Sequence, residues 1–141
     1  MAIRPFIGTH QNKVDQKGRV SVPAKFRAGI AQLGYESIVV RFDDKRGCLE
    51  GSGWDRLERI AEDAPDFVDG DDLDSEDAAD LFADFEELNF DPAGRVVLSE
   101  ALRGIAGITE SAVFRGTGRF FQIWSPEGLE AYQAKRKGGT A

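Results

Sequence analysis

The 141-residue sequence predicts an α+β fold in which two copies of one short module complete a single β-barrel, with flanking helices and an acidic helical insert. Three observations carry this. First, Val14 to Arg27 (VDQKGRVSVPAKFR) aligns with Phe90 to Arg103 (FDPAGRVVLSEALR) at a constant offset of 76. Asp15/Asp91, Gly18/Gly94, Arg19/Arg95, Val20/Val96 and Arg27/Arg103 are identical, and Ser37 to Arg41 matches Ser111 to Arg115 at an offset of 74. Second, both copies follow the order strand, tight turn, strand, short helix, strand, strand. Third, a four-stranded unit of about 50 residues has too little core to stand alone, so two copies in one chain imply intramolecular pairing.

Taken in order, Phe6 to His10 is short and β-prone, and Asp15 to Gly18 is a turn in which glycine supplies a positive φ. Arg19 to Val22 alternates outward Arg19 and Ser21 with inward Val20 and Val22. Pro23 fits the first helical position, Phe26, Ile30 and Leu33 recur on one helical face, and Gly34 ends that helix. Ser37 to Phe42 and Gly47 to Gly51 form a hairpin through Asp43 to Arg46; Ser111 to Gly116 and Arg119 to Trp124 are its counterpart through Thr117 and Gly118. A helix follows each hairpin. Ser52 is expected to cap one with Trp54, Leu57, Ala61 and Ala64 on a face, and Ser125-Pro126 opens the other with Leu129 and Tyr132. A third helix starts near Asp74 or Ser75 with Ala78, Leu81, Phe82 and Phe85 at helical spacing, after a loop over Pro65 to Asp72. The expected divisions are a first module at 5–52, the insert at 53–88 and a second module at 89–133.

Net charge is −7, from 18 basic and 25 acidic side chains, which on average opposes a nucleic-acid partner. The average conceals segregation. Residues 1–57 sum to +4, residues 58–89 to −13 and residues 90–141 to +2. One cysteine, Cys48, and one histidine, His10, exclude an internal disulfide and a zinc tetrad, and neither residue is given a role beyond packing. No apolar run approaches the roughly 18 residues of a membrane span, and Met1 to Pro5 lacks the pattern of a signal peptide, so no membrane partner and a cytoplasmic location are expected.

The VDQKGRVSVPAKFR string, its degenerate second copy and Phe121 to Trp124 (FQIW) together resemble the MraZ family, within the AbrB/SpoVT-like swapped-hairpin DNA-binding proteins, from about Phe6 to Tyr132. The resemblance implies tandem AbrB/SpoVT-like modules forming a double swapped-hairpin β-barrel. It further implies a ring-like homo-oligomer bound to repeated boxes of double-stranded promoter DNA, repressing its own division and cell-wall gene cluster, and hence a cytoplasmic, nucleoid-associated transcription regulator. The functional Asp-x-x-x-Arg stretch of that family matches Asp15 to Arg19 and Asp91 to Arg95. In the second copy Ala93 stands where the first has Lys17, and Ser99 where the first has Pro23.

Charge distinguishes the copies. Lys13, Lys17, Arg19, Lys25 and Arg27 face one anion, Asp15, whereas Asn89 to Arg103 is balanced. The expected DNA-binding residues are therefore Lys13, Lys17, Gly18, Arg19, Lys25 and Arg27. Arg19 is the candidate for guanine edges, Lys13 and Lys17 for phosphates, and Gly18 for close backbone approach. Asp15, Asp91, Gly94 and Arg95 are expected to support the motif structurally, and Trp54, Trp124, Phe82 and Phe85 to pack in the core or between subunits. No catalytic residue, metal or cofactor is expected: Asp69 to Asp72 lacks the ligand spacing of a calcium loop, and no nucleophile set can be built around His10. The competing functions are an antitoxin-type module of the same superfamily, disfavoured by the duplication and short C-terminal tail, and a carboxylate-dependent metal enzyme using Asp69 to Asp84.

Overall fold

Short β-branched runs after each turn commit to strands, and the strands of the two copies interleave. The computed structural model describes residues 4–63 and 73–139. The first copy contributes β1 (Thr9–Lys13), β2 (Arg19–Ser21), α1 (Ala24–Gln32), β3 (Ser37–Asp43), β4 (Cys48–Ser52) and α2 (Trp54–Asp63). After α3 (Leu73–Asp84) the second contributes β5 (Glu86–Asn89), β6 (Arg95–Val97), α4 (Glu100–Ala106), β7 (Ser111–Gly116), β8 (Phe121–Trp124) and α5 (Pro126–Gly139). The architecture is mixed α+β, with antiparallel strand pairing throughout.

Six strands form one sheet in the order β1-β7-β8-β4-β3-β5, and β2 pairs with β6 in a separate ribbon. Strand β1 of the first copy lies against β7 of the second, with Thr9 opposite Arg115; β5 of the second lies against β3 of the first, with Ser37 opposite Asn89. The order is thus the same from either edge with the copies exchanged. Neither copy completes its sheet from its own strands, which is the physical consequence of a module too small to bury its own apolar face.

The inward residues predicted for β2 are fully buried. Val20, Val22, Phe26, Ile30, Val96 and Leu98 join one core with Phe6, Phe114, Phe121 and Ile123. Phe6 packs edge-on against Phe26 and Phe121 at 5.3 and 5.1 Å, so the N-terminal segment is held by aromatic contacts as well as by Phe6 N–H donating to Gly118 O at 2.7 Å. Each such aromatic contributes about 1.5–3 kcal/mol by leaving water. On the opposite sheet face Trp124, Cys48 and Val113 pack beneath Leu129 and Tyr132 of α5. Burial pushes the Cys48 thiol up to about 12, so it behaves as a small apolar side chain.

Several boundaries differ from expectation. The first strand is Thr9–Lys13 rather than Phe6 to His10, because Gly8 at φ 88° turns the chain between the Phe6 bridge and the strand. Pro23 precedes the helix in an extended conformation (ψ 136°), so α1 starts at Ala24. Ser52 is a correction: it is the last residue of β4, and its Oγ is buried without a hydrogen-bond partner instead of capping α2. Ser125 does act at its helix start, accepting from Gly128 N–H at 2.9 Å. Helix α3 begins at Leu73 and stops before Phe85, and β5 starts at Glu86, so strand pairing reaches into the acidic stretch. The Pro65 to Asp72 loop lies outside the described residues.

Candidate nucleic-acid interface

Each turn is organised by its aspartate. Backbone N–H groups of Lys17 and Arg19 donate to Asp15 Oδ1 at 3.0 and 2.8 Å, and Arg19 Nε donates to Asp15 Oδ2 at 2.6 Å. In the second copy Ala93 and Arg95 N–H donate to Asp91 Oδ1 at 2.9 and 2.8 Å, and Arg95 Nε reaches Asp91 Oδ2 at 2.8 Å. The backbone N–H of Arg19, opposed by desolvation and aided by its guanidinium, holds the Asp15 carboxyl below its ordinary range, and Arg95 does the same for Asp91. The aspartates therefore stay ionised, and each ties its turn to the stem of its arginine.

Holding Arg19 by Nε leaves its two terminal nitrogens without a hydrogen-bond partner among the described residues, and 37% of its side chain is exposed. Arg95 is equivalent, at 36%. In the β2–β6 ribbon Arg19 lies opposite Val97 and Arg95 opposite Ser21, while Val20 and Val96 pair between them and point into the core. Period-two alternation thus puts both arginines on one outward face in diagonal positions, roughly 7 Å apart. Lys13 and Lys17 are exposed before and within the first turn, where the second has Asn89 and Ala93. Lys25 is exposed on α1, beside a hollow lined by Asn12, Ser21 and Arg27.

The remaining two expected residues are placed differently. Gly18 is buried at φ +86°, and a Cβ there would run into the carbonyl oxygen of Leu98 and approach Arg103 Nε at 3.0 Å. Its bare backbone admits the other copy: Leu98 N–H donates to Gly18 O at 2.8 Å. Arg27 makes the reciprocal contact. Its Nε donates to Val22 O at 2.9 Å, and its guanidinium lies against Gly94, as that of Arg103, bonded to Leu98 O at 2.9 Å, lies against Gly18. Each helix arginine therefore backs the turn of the opposite copy. The sequence reading missed this lock; its signal was the joint repetition of Gly18/Gly94 and Arg27/Arg103.

A family model described as "MraZ protein, putative antitoxin-like" matches residues 6–58 and 81–139, both turns included. The chain belongs to the MraZ family. Among relatives, the "Transcriptional regulator MraZ" of Rhodospirillum rubrum is 55% identical over 99% of this chain and 91% of its own length. The protein of the same name from Gluconobacter oxydans is 43% identical over 93% of this chain and 82% of its own, and that of Pelagibacter ubique 34% identical over 91% and 83%. The family match omits residues 59–80, the heart of the acidic stretch, and covers both copies together with the two ends of the insert. Among the described residues no group of His, Cys, Asp or Glu could hold a metal ion, and no helix is long and apolar enough to cross a membrane.

Proposed function

We propose that the chain is a sequence-specific DNA-binding transcriptional regulator that docks on double-stranded promoter DNA through the outward face of the β2–β6 ribbon. One observation carries the reading: Arg19 and Arg95 share that face, each steadied by an aspartate through Nε, with Lys13 and Lys17 flanking the first turn. A two-stranded ribbon fits the major groove, where a guanidinium reads guanine and lysines hold phosphates. Lys25 reaches the backbone beside the ribbon, while Gly18 and Arg27 shape the turns from behind. The first copy is the stronger half because its turn alone has lysines. The relatives' name, transcriptional regulator, supports the same reading.

In finer detail, the modules at 5–52 and 89–133 build a double swapped-hairpin barrel, with 53–88 as the insert. Few cations per chain make single-copy binding weak at cellular salt, with a slope of about −0.9 per phosphate. A ring-like homo-oligomer on repeated boxes converts it to avid binding, because later contacts are effectively intramolecular. Such an assembly on the promoter of its own division and cell-wall gene cluster would repress that cluster, in the cytoplasm at the nucleoid. The chain works without catalysis or cofactor in this account.

The test is a mobility-shift series in salt on DNA from upstream of its own gene, using wild type and the triple variant Lys13→Ala, Lys17→Ala, Arg19→Ala. Binding should fall sharply, with a slope shallower by roughly 0.9 for each phosphate that the variant no longer neutralises. Unchanged affinity and slope in a folded variant contradict the proposal.

A further inference from the structure

Two of the three large apolar side chains left exposed among the described residues, Ile7 at 67% and Ile105 at 57%, border two hollows, one beside the start of α1 and one beside α4. Ile7 lies by a hollow of about 370 Å³ that includes Arg4, Lys25 and Phe26 at the start of α1. Ile105 borders one of about 360 Å³ that includes Ala101 and Leu102, the counterparts of Lys25 and Phe26 at the offset of 76, together with Asp44 and Asp84. The two hollows thus occupy equivalent places, but their chemistry has diverged. The first carries the cations Arg4 and Lys25; the second carries two exposed aspartates, its only cation among the described residues, Arg41, being paired with Glu50. Large and small residues are also exchanged: Ala83 stands in the second copy where the first has Ile7, and Gly29 in the first where the second has Ile105.

We propose that these two faces are the two halves of a head-to-tail contact, the Ile7 face of one copy of this chain docking on the Ile105 face of the next. The occupant follows from charge. Docking either face on its own kind would oppose Arg4 and Lys25 to themselves or Asp44 and Asp84 to themselves, whereas the unlike pairing brings cations to carboxylates around two isoleucines. A contact between unlike faces leaves one of each free, so copies continue to add until a ring closes. The inference rests on the reading that the protein acts as an assembly, and it names the surfaces that make it.

Both isoleucines are exposed, so an aspartate at either should leave the monomer folded. Light scattering after size exclusion, across a concentration series with circular dichroism as the fold check, compares full-length wild type, Ile7→Asp, Ile105→Asp and their equimolar mixture. Wild type should be a multi-chain species and each variant a folded monomer. The mixture should give a dimer and nothing larger, because only the intact Ile7 face of one variant meets the intact Ile105 face of the other. Variants that keep the wild-type mass, or a single disruptive variant, would overturn the head-to-tail faces and leave the assembly reading standing. A monomeric wild type would overturn both.

Discussion

The turn at residues 15–19 and the turn at residues 91–95 share their hydrogen bonds almost atom for atom, yet differ in what surrounds them. Lys13 and Lys17 accompany the first; Asn89 and Ala93 accompany the second. The shared part is what the fold needs to bring β2 and β6 together, and the unshared part is electrostatic. Duplication therefore separates two contributions within one chain: what both copies keep holds the ribbon and sets an arginine on its outward face, and what one copy keeps alone sets the strength of its contact with phosphate.

The largest difference between the halves should come from substituting the glycines. Gly18→Val strains a positive φ and drives a side chain into the Leu98 carbonyl, which cannot move without the ribbon, so it should destabilise by about 3 kcal/mol or more. Gly94→Val meets the Arg27 guanidinium, which can swing away, and should cost about 2 kcal/mol. Urea unfolding of both variants checks the order; equal losses would mean that Arg27 is as rigid as backbone.

A second contrast lies across the sheet, where Glu50 faces Gln122 at the centre. Glu50 pairs with Arg41 at 3.1 Å and with Arg56; Gln122 accepts from Arg115 at 3.2 Å and from Trp124 Nε1 at 2.9 Å. Glu50→Ala leaves two part-buried arginines unpaired and should cost about 2 kcal/mol, reduced from the fully buried case by their partial exposure. Gln122→Ala should cost about 1 kcal/mol. Chemical denaturation distinguishes them, and a reversed order would show that the charged pair contributes little.

Acid should treat the two turns alike. Both aspartates titrate below their ordinary value of 3.8 in the folded chain, so their stabilisation is complete above that value and is lost as pH falls through the lower folded one. Thermal unfolding from neutral pH down to about pH 2 should show an acid-side decline that is shallower in both Asp15→Asn and Asp91→Asn. A decline unchanged in either variant would assign it to other carboxylates. The smallest effect is electrostatic: Ala93→Lys should steepen the salt dependence of DNA binding by about 0.9, and Lys17→Ala should flatten it by the same amount.

Much of this was legible because repetition acts as an internal control. The 76-residue offset alone marks the turns, their positive-φ glycines and the inward Val20 and Val96. The interleaving of β1 with β7 was not legible strand by strand, since an edge strand such as THQNK carries no label for its partner. Arg27 counted as a DNA-facing cation because sequence shows charge but not direction; the fold turns it onto Gly94. Ser52 carried a capping residue's chemistry in a place where the strand runs one residue further.

The central claim is that the ribbon's outward face, strongest at its first turn, contacts DNA. Its most direct measurement is the promoter-DNA affinity of Arg19→Ala and Arg95→Ala beside wild type at about 0.15 M salt, with fold and mass verified. Each guanidinium is expected to matter, with Arg19→Ala losing about tenfold or more and Arg95→Ala less. A folded, assembled Arg19→Ala protein that binds as tightly as wild type would contradict the account.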